Sequence, residues 1–346
     1  MPSNLKYIIA EISGIPNFVN WLNRKRPLVL AYHGIYDGPK RIGDLPPTFV
    51  NSRDMTDQLI YIKKRYRILT PEEFLISLEK DSGFPPNPAL ITFDDAYESF
   101  CEIVAPIVRS LGIHPIVFVP THYVQEHKPF WFDVVWYFVK HSPDEKKAWL
   151  LNLLGIMKNE CAKDEIPDTC LREMKKMLPW DRDNIVGDII RIASREFPDF
   201  NAIKELSLPM TPEQLKEITS LGVTLGCHTH THTIMSVLSK AQAEYEVVEN
   251  KRCLESITGK RSHFFAYPNG GPGDYTDENK SLLRNVGFRV AFSLTQKRSS
   301  LKSDLMDVSR IHVAPEDTAE SLMFRCKGMA PLVEKIRGLF FNTSNN

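Results

Sequence analysis

In Ala89-Leu90-Ile91-Thr92-Phe93-Asp94-Asp95 an apolar run ends on two adjacent acids. A run this short and this apolar predicts a strand buried on both faces, the kind that builds parallel sheets. Such sheets carry their chemistry at the carboxyl ends of the strands, so Asp94 and Asp95 are expected there. A distant string, His228-Thr229-His230-Thr231-His232, follows a second apolar segment, Val223-Thr224-Leu225-Gly226. Two carboxylates and a set of imidazoles read together as a divalent metal site with one carboxylate to spare, which makes a hydrolase the first expectation.

Working outward, Pro27-Leu28-Val29-Leu30-Ala31-Tyr32-His33-Gly34 predicts a first strand with His33 at its carboxyl edge. A helix is expected over about 53–65, and Thr70-Pro71-Glu72-Glu73 marks the start of another. There Thr70 caps, Pro71 suits the first helical position and Glu73 completes a capping box. After the Asp94-Asp95 strand come a helix over about 97–111, stopped by Gly112, and a strand over 116–119. From about 123 to 208 β-branched runs are absent and helical spacing takes over, at Leu150, Leu153 and Leu154, then at Ile185, Ile189 and Ile192. Alternation resumes with the capping signature Thr211-Pro212-Glu213-Gln214, a helix over 240–258, and strands near 264–268, 290–293 and 308–312.

This order predicts an α/β fold: an incomplete parallel (β/α) barrel of six or seven units. Residues 26–320 form the barrel and 123–208 a helical insertion within it. Residues 1–25 are an N-terminal amphipathic helical segment and 321–346 a C-terminal amphipathic tail.

The 346 residues, 42% hydrophobic and 25% charged, suffice for one large domain with an insert. Basic and acidic residues cancel at 43 each, and no basic stripe interleaved with aromatics appears, which excludes nucleic acid as a partner. Cys101, Cys161, Cys170, Cys227, Cys253 and Cys326 lack C-x-x-C spacing, which fits reduced thiols and a cytoplasmic setting. Glu11, Asn17 and Asn20 interrupt the apolar N-terminus, so it reads as neither signal peptide nor membrane span. In the tail, Lys335 and Arg337 alternate with Leu332, Ile336, Phe340 and Phe341. That pattern suits a helix docked on the barrel or one lying on the inner face of a membrane. Nothing in the pattern assigns an oligomeric state.

Zinc and its relatives take imidazole nitrogen and carboxylate oxygen, with three protein ligands in a catalytic site. Asp95, His228 and His232 supply that set, with Zn2+ the expected ion and His230 facing away. Phe130-Trp131-Phe132 and Trp136 have the spacing of insertion core, with Trp131 the residue expected to line a sugar site.

These residues resemble the polysaccharide deacetylase, or NodB-homology, family of carbohydrate esterases. Thr92-Phe93-Asp94-Asp95 is similar to the first motif, T-F-D-D, and His228-Thr229-His230-Thr231-His232 to the second, H-[S/T]-x-x-H. The resemblance implies Asp94 as catalytic base and Asp95, His228 and His232 as metal ligands. Phe265-Ala266-Tyr267-Pro268-Asn269-Gly270 is similar to the third motif, F-R-P-P-Y-G, but lacks its arginine. In the family that arginine orients the base by pairing with an acid of a fourth motif, which also has no counterpart, so a different means of orienting Asp94 is expected. The resemblance further implies an oxyanion donor at the Asn269 amide, Tyr267 and His33 as site-lining residues, and His312 of Ser309-Arg310-Ile311-His312 as general acid. An imidazole of ordinary pKa, ~6.5, suits that last role. The implied substrate is an N-acetylated amino sugar in an oligosaccharide, glycolipid or polysaccharide precursor. Two rivals stand beside this reading. One is a carbohydrate-binding protein with a vestigial metal site, and the other an amidohydrolase-type barrel using His228-Thr229-His230 as its H-x-H pair.

Overall fold

The structure is a computed structural model that describes residues 15–79, 83–157, 162, 165–299 and 304–327. Its strands are β1 (Leu28–Tyr32), β2 (Ile35–Tyr36), β3 (Val50–Asn51), β4 (Arg67–Ile68), β5 (Pro88–Phe93), β6 (Ile116–Val119), β7 (Thr224–Cys227), β8 (Phe264–Ala266), β9 (Val290–Ser293), β10 (Val308–Ser309) and β11 (Ile311–His312). The main sheet runs β10-β9-β8-β7-β6-β5-β1-β11, with β4 beside the start of β5, and every pairing in it is parallel.

One segment nearly closes this sheet into a barrel. At its first half the Arg310 amide donates to Ser293 O of β9, and three residues on the Val313 amide donates to Ala31 O of β1. Residues 308–312 thus change partner at Arg310, which is why the expected single strand is split in two. The parallel (β/α) barrel expected from the sequence is the fold observed.

Alternation along each strand sorts the apolar side chains into two layers, because successive side chains point to opposite faces. Val29, Leu90, Ile116, Phe118, Phe264, Ala266, Val290, Phe292 and Val308 form the inner layer. Leu28, Leu30, Ile91, Val117, Leu225, Phe265, Ala291 and Ile311 form the outer layer beneath the helices. Each fully buried aliphatic or aromatic side chain contributes ~1.5–3 kcal/mol, so a slip of one residue would be costly in every strand.

Helix α1 (Ile15–Leu22) precedes the first strand, and α2 (Ser52–Lys63), α3 (Pro71–Glu79) and α4 (Ala105–Ser110) lie between strands, the last preceded by a π-turn at Phe100–Val104. The capping box at α3 is present, with Glu73 N donating to Thr70 Oγ1 and Thr70 N to Glu73 Oε2. Between β6 and β7 lie α5 (Thr121–Glu126), α6 (Trp131–His141), α7 (Asp144–Leu153), α8 (Ile166–Met174), α9 (Pro179–Glu196), α10 (Phe200–Leu206) and α11 (Pro212–Ser220). This helical stretch has its own apolar cluster, built on Phe130, Trp131, Phe138, Leu150, Ile189 and Phe200, which also receives Phe49 and Tyr97 from the barrel loops. α12 (Lys240–Thr258), α13 (Asp277–Val286) and α14 (Ala319–Cys326) complete the chain as described. Most of the C-terminal tail, like residues 1–14, lies outside the described residues, and among those described no helix is long and apolar enough to cross a membrane.

Candidate active site at the carboxyl ends of the strands

The inward parity of the strands continues past their last residues. His33 beyond β1, Asp94 beyond β5, His228 beyond β7 and His312 ending β11 therefore enter one cleft of about 350 Å³. Asp95, His232, Asn269 and Trp131 line the same cleft.

Asp95 and His232 reach it through unusual backbone. Asp95 (φ 70°), Thr229 (φ 56°), His232 (φ 54°) and Asn269 (φ 60°) are all left-handed. For residues with a Cβ this conformation is costly and clusters where function demands it. Two left-handed residues, rather than i and i+4 helical spacing, bring His228 and His232 together with ring centroids 4.9 Å apart. His230 points away, its Nδ1 2.9 Å from Thr121 Oγ1, so no H-x-H pair forms.

Asp95, His228 and His232 present ligand atoms that lie within 4.8 Å of one another. His232 Nε2 is 3.1 Å and His228 Nε2 3.6 Å from Asp95 Oδ1. Ligand bonds of ~2.0–2.2 Å to a shared ion would set neighbouring ligand atoms roughly 3.0–3.6 Å apart, so the set fits a divalent cation. Asp95 Oδ1 is buried with no hydrogen-bond partner, an oxygen that a cation would satisfy. His228 Nδ1 lies 2.7 Å from Ala266 O, which fixes its proton there and turns the Nε2 lone pair to the site. Asn250 steadies the same residue, accepting from the His228 amide and donating to Val119 O and Thr121 Oγ1. Burial lowers the pKa of His228 to about 4 and raises that of Asp95. Burial, with Arg182 and Lys175 adding to it, lowers that of His232 to about 3. Cys227 points to the outer layer, its thiol 3.6 Å from Ser262 Oγ, and is no part of this set.

Asp94 stands beside the ligand set rather than in it, and is held by a residue that motif matching overlooked. Arg310, 0% exposed, donates from Nη1 to Asp94 Oδ1 at 2.6 Å and from Nη2 to Oδ2 at 2.8 Å. Nη1 also donates to Thr92 Oγ1 and Nε to Ser293 O, and the guanidinium carbon lies 5.3 Å from the Phe118 ring centroid. Gly226 keeps that ring in place, since a Cβ there would come within 2.5 Å of it. The arginine missing from the third motif is thus supplied by the last strand. Burial pushes the Asp94 carboxyl up, but Arg310, His228 and His33 outweigh it and hold the group well below the usual carboxylate range.

His33 Nε2 is 3.7 Å from Asp94 Oδ2, and its ring centroid is 5.2 Å from that of His312. Burial, nearby His33 and Arg325 lower the His312 pKa to about 3, which corrects the expectation of an ordinary imidazole there. Tyr267 is a second correction. It has the outward parity of β8, donates its hydroxyl to Met306 O at 2.9 Å and stacks on Tyr275 at 3.9 Å, so it does not line the cleft. Trp131 both packs in the helical cluster and lines the cleft, with Nε1 buried and unpartnered. Arg182 and Lys175, singled out by no motif, join it on that wall.

A family model described as polysaccharide deacetylase matches residues 81–291. YxkH of Bacillus subtilis (strain 168), which carries a polysaccharide deacetylase name, is 22% identical over 106 residues, 31% of this chain. That match spans only 37% of the relative's own length. Among solved structures, Streptococcus pyogenes deacetylase PplD in complex with acetate is similar at a TM-score of 0.57 and 16% identity, covering 87% of this chain and 97% of that one. IcaB from Ammonifex degensii is similar at 0.54 and 18%, covering 88% and 97%. At these identities the likeness to the solved structures is one of fold.

Proposed function

Because this chain belongs to the polysaccharide deacetylase family, we propose that it removes the acetyl group from an N-acetylated amino sugar in an oligosaccharide, glycolipid or polysaccharide precursor. The observation that carries this reading is the juxtaposition of a three-ligand set, Asp95, His228 and His232, with a carboxylate, Asp94, that is clamped by Arg310 and left outside that set. Asp95, His228 and His232 would hold a divalent ion, with Zn2+ favoured by two imidazoles and one carboxylate. When bound, such an ion acidifies its water from a pKa of ~15.7 to roughly 7 and polarises the acetyl carbonyl.

The protein's own groups do the remaining work. Asp94 accepts the proton of the attacking water, and Arg310 holds both of its oxygens at fixed directions as it does so. The amide near Asn269 donates to the developing oxyanion, a contribution of roughly 3–4 kcal/mol when well placed. His312 delivers a proton to the leaving nitrogen. The proton that Asp94 takes from the water balances the one that His312 gives to the amine, and because burial lowers the His312 pKa, that imidazole must gain its proton during the cycle rather than hold it beforehand. His33, between them, lines the route.

We assign residues 26–320 to the catalytic barrel and 123–208 to an insertion that walls its cleft. Among the described residues Cys101, Cys227, Cys253 and Cys326 are free thiols, which supports a reducing, cytoplasmic setting, with tail 321–346 as a candidate contact to the membrane face. Acetate release from a panel of N-acetylhexosamine oligomers, before and after chelation and with metal add-back, tests the reading. Release that stops with the chelator and returns with the ion is expected. Release indifferent to chelation, or none from any member, overturns it.

A further inference from the structure

The wall that the helical stretch contributes to the cleft offers donors without acceptors. Arg182 of α9 is 1% exposed, yet its Nε has no hydrogen-bond partner, and no ion pair joins it to a carboxylate among the described residues. Its guanidinium carbon lies 4.6 Å from the ring centroid of Trp131, whose own Nε1 is buried and unpartnered. Lys175, the half-buried C-cap of α8, lines the same cleft and likewise forms no ion pair among the described residues. Asp274, Asp168 and Asp95 lie within electrostatic reach of Lys175, and Glu246 within reach of Arg182, but none forms an ion pair with either cation among the described residues. A buried cation without a directly paired counter-charge is costly, and a native structure seldom keeps one without use for it. Stacking on an indole offsets only part of that cost.

The lining carboxylates do not answer these cations. Asp94 is taken by Arg310, Asp95 faces His228 and His232, and Asp133 accepts from the Tyr97 hydroxyl at 2.7 Å. Asp168 lines the cleft too, but is exposed and forms no ion pair with Lys175 or Arg182 among the described residues.

We propose that Arg182, Lys175 and the Trp131 indole N–H form an anion subsite, which takes a phosphoryl or carboxylate group carried by the amino-sugar substrate. This rests on the deacetylase reading for the sugar, but the subsite is defined by its own residues. Guanidinium and ammonium donors recognise the oxygens of both anions, and a fork of guanidinium donors favours a planar or phosphoryl oxyanion over a hydroxyl. The substrate class is therefore an acidic glycan or a glycosyl phosphate rather than a neutral chitin-like chain.

Calorimetric titration of the metal-loaded full chain tests this with N-acetylglucosamine 1-phosphate, N-acetylmuramic acid and neutral methyl N-acetylglucosaminide. At least one anionic sugar is expected to bind about tenfold or more tightly than the neutral one, the size of one charge-assisted hydrogen bond. Which anion gains more distinguishes phosphoryl from carboxylate recognition. Arg182→Gln and Lys175→Gln should each remove most of that advantage, read within each variant as the ratio of anionic to neutral affinity, while Arg182→Lys restores part of it. Should Arg182→Gln fail to fold, the half-buried Lys175 variant decides. Equal binding of the three sugars, or an anionic advantage that survives both substitutions, overturns the subsite. So does an advantage lost on chelation but kept in the variants, which would place the anion on the metal. Binding is read without turnover. Failure to release acetate would therefore count against the deacetylase reading alone, and equal acetate release from anionic and neutral sugars against the subsite alone.

Discussion

Arg310 and Asp94 grip each other through two hydrogen bonds of 2.6 and 2.8 Å inside the barrel, although β1 lies between their strands. Both groups are almost wholly out of water. Such a pair adds little net stability when intact, but stranding one partner is severe.

Arg310→Met should therefore cost ~3–5 kcal/mol in urea unfolding, the usual loss when a buried charge is left alone. Asp94→Leu combined with it should regain more than half of that loss. A single-variant cost below ~1 kcal/mol would show that the carboxylate finds water or another cation. Arg310→Lys keeps the charge but not the fork, so kcat is expected to fall while KM changes little.

Asp94→Asn and His228→Ala should separate base from ligand. The first is expected to retain a bound divalent ion and lose ~10²–10⁴ in turnover, the range for a general base. The second should lose both ion and turnover. Metal analysis of the purified variants beside an acetate assay checks this, and full metal content in His228→Ala would dismiss the ligand set.

Acid sensitivity follows from His312, as it does from His228 and His232. The folded pKa of His312 lies below its ordinary value, so on acidification the unfolded chain takes up the proton first. Stability is then full above ~6.5 and declines as pH falls toward about 3. Asp94 is also depressed, but its contribution is present above ~3.9 and lost only below that. Between pH 7 and 5, His312→Asn should lose less stability than the unaltered protein in parallel urea titrations. Identical losses would mean that the imidazole titrates normally.

Tyr267→Phe should leave kcat and KM unchanged and cost ~0.5–1.5 kcal/mol, the worth of one buried hydrogen bond to Met306 O. A raised KM would return this residue to the cleft.

The strands were legible because burial on both faces leaves uninterrupted apolar runs, and the acids and histidines because they follow those runs directly. The clamp was legible too, by a rule that motif matching passes over. Arg310 shares the inward parity of Val308 and His312, and a charged residue inside a barrel must meet an opposite charge, for which Asp94 was the natural partner. The same parity excludes Tyr267, which travels with outward Phe265. Left-handed turns at Asp95 and His232 were not legible, since neither is glycine and nothing local demands a positive φ. Nor were Arg182 and Lys175, whose meeting with the cleft depends on how separate helices fold back over it.

The change of partner at Arg310 ties chemistry to chain completion. Residue 310 is made after every other strand-end group of the site except His312, and it both joins β9 to β1 and meets Asp94. A nascent chain short of it would carry an unbalanced acid in an open sheet. Hydrolytic competence and the final seam of the molecule should therefore arise in a single step, so that partly synthesised or frayed copies are inert.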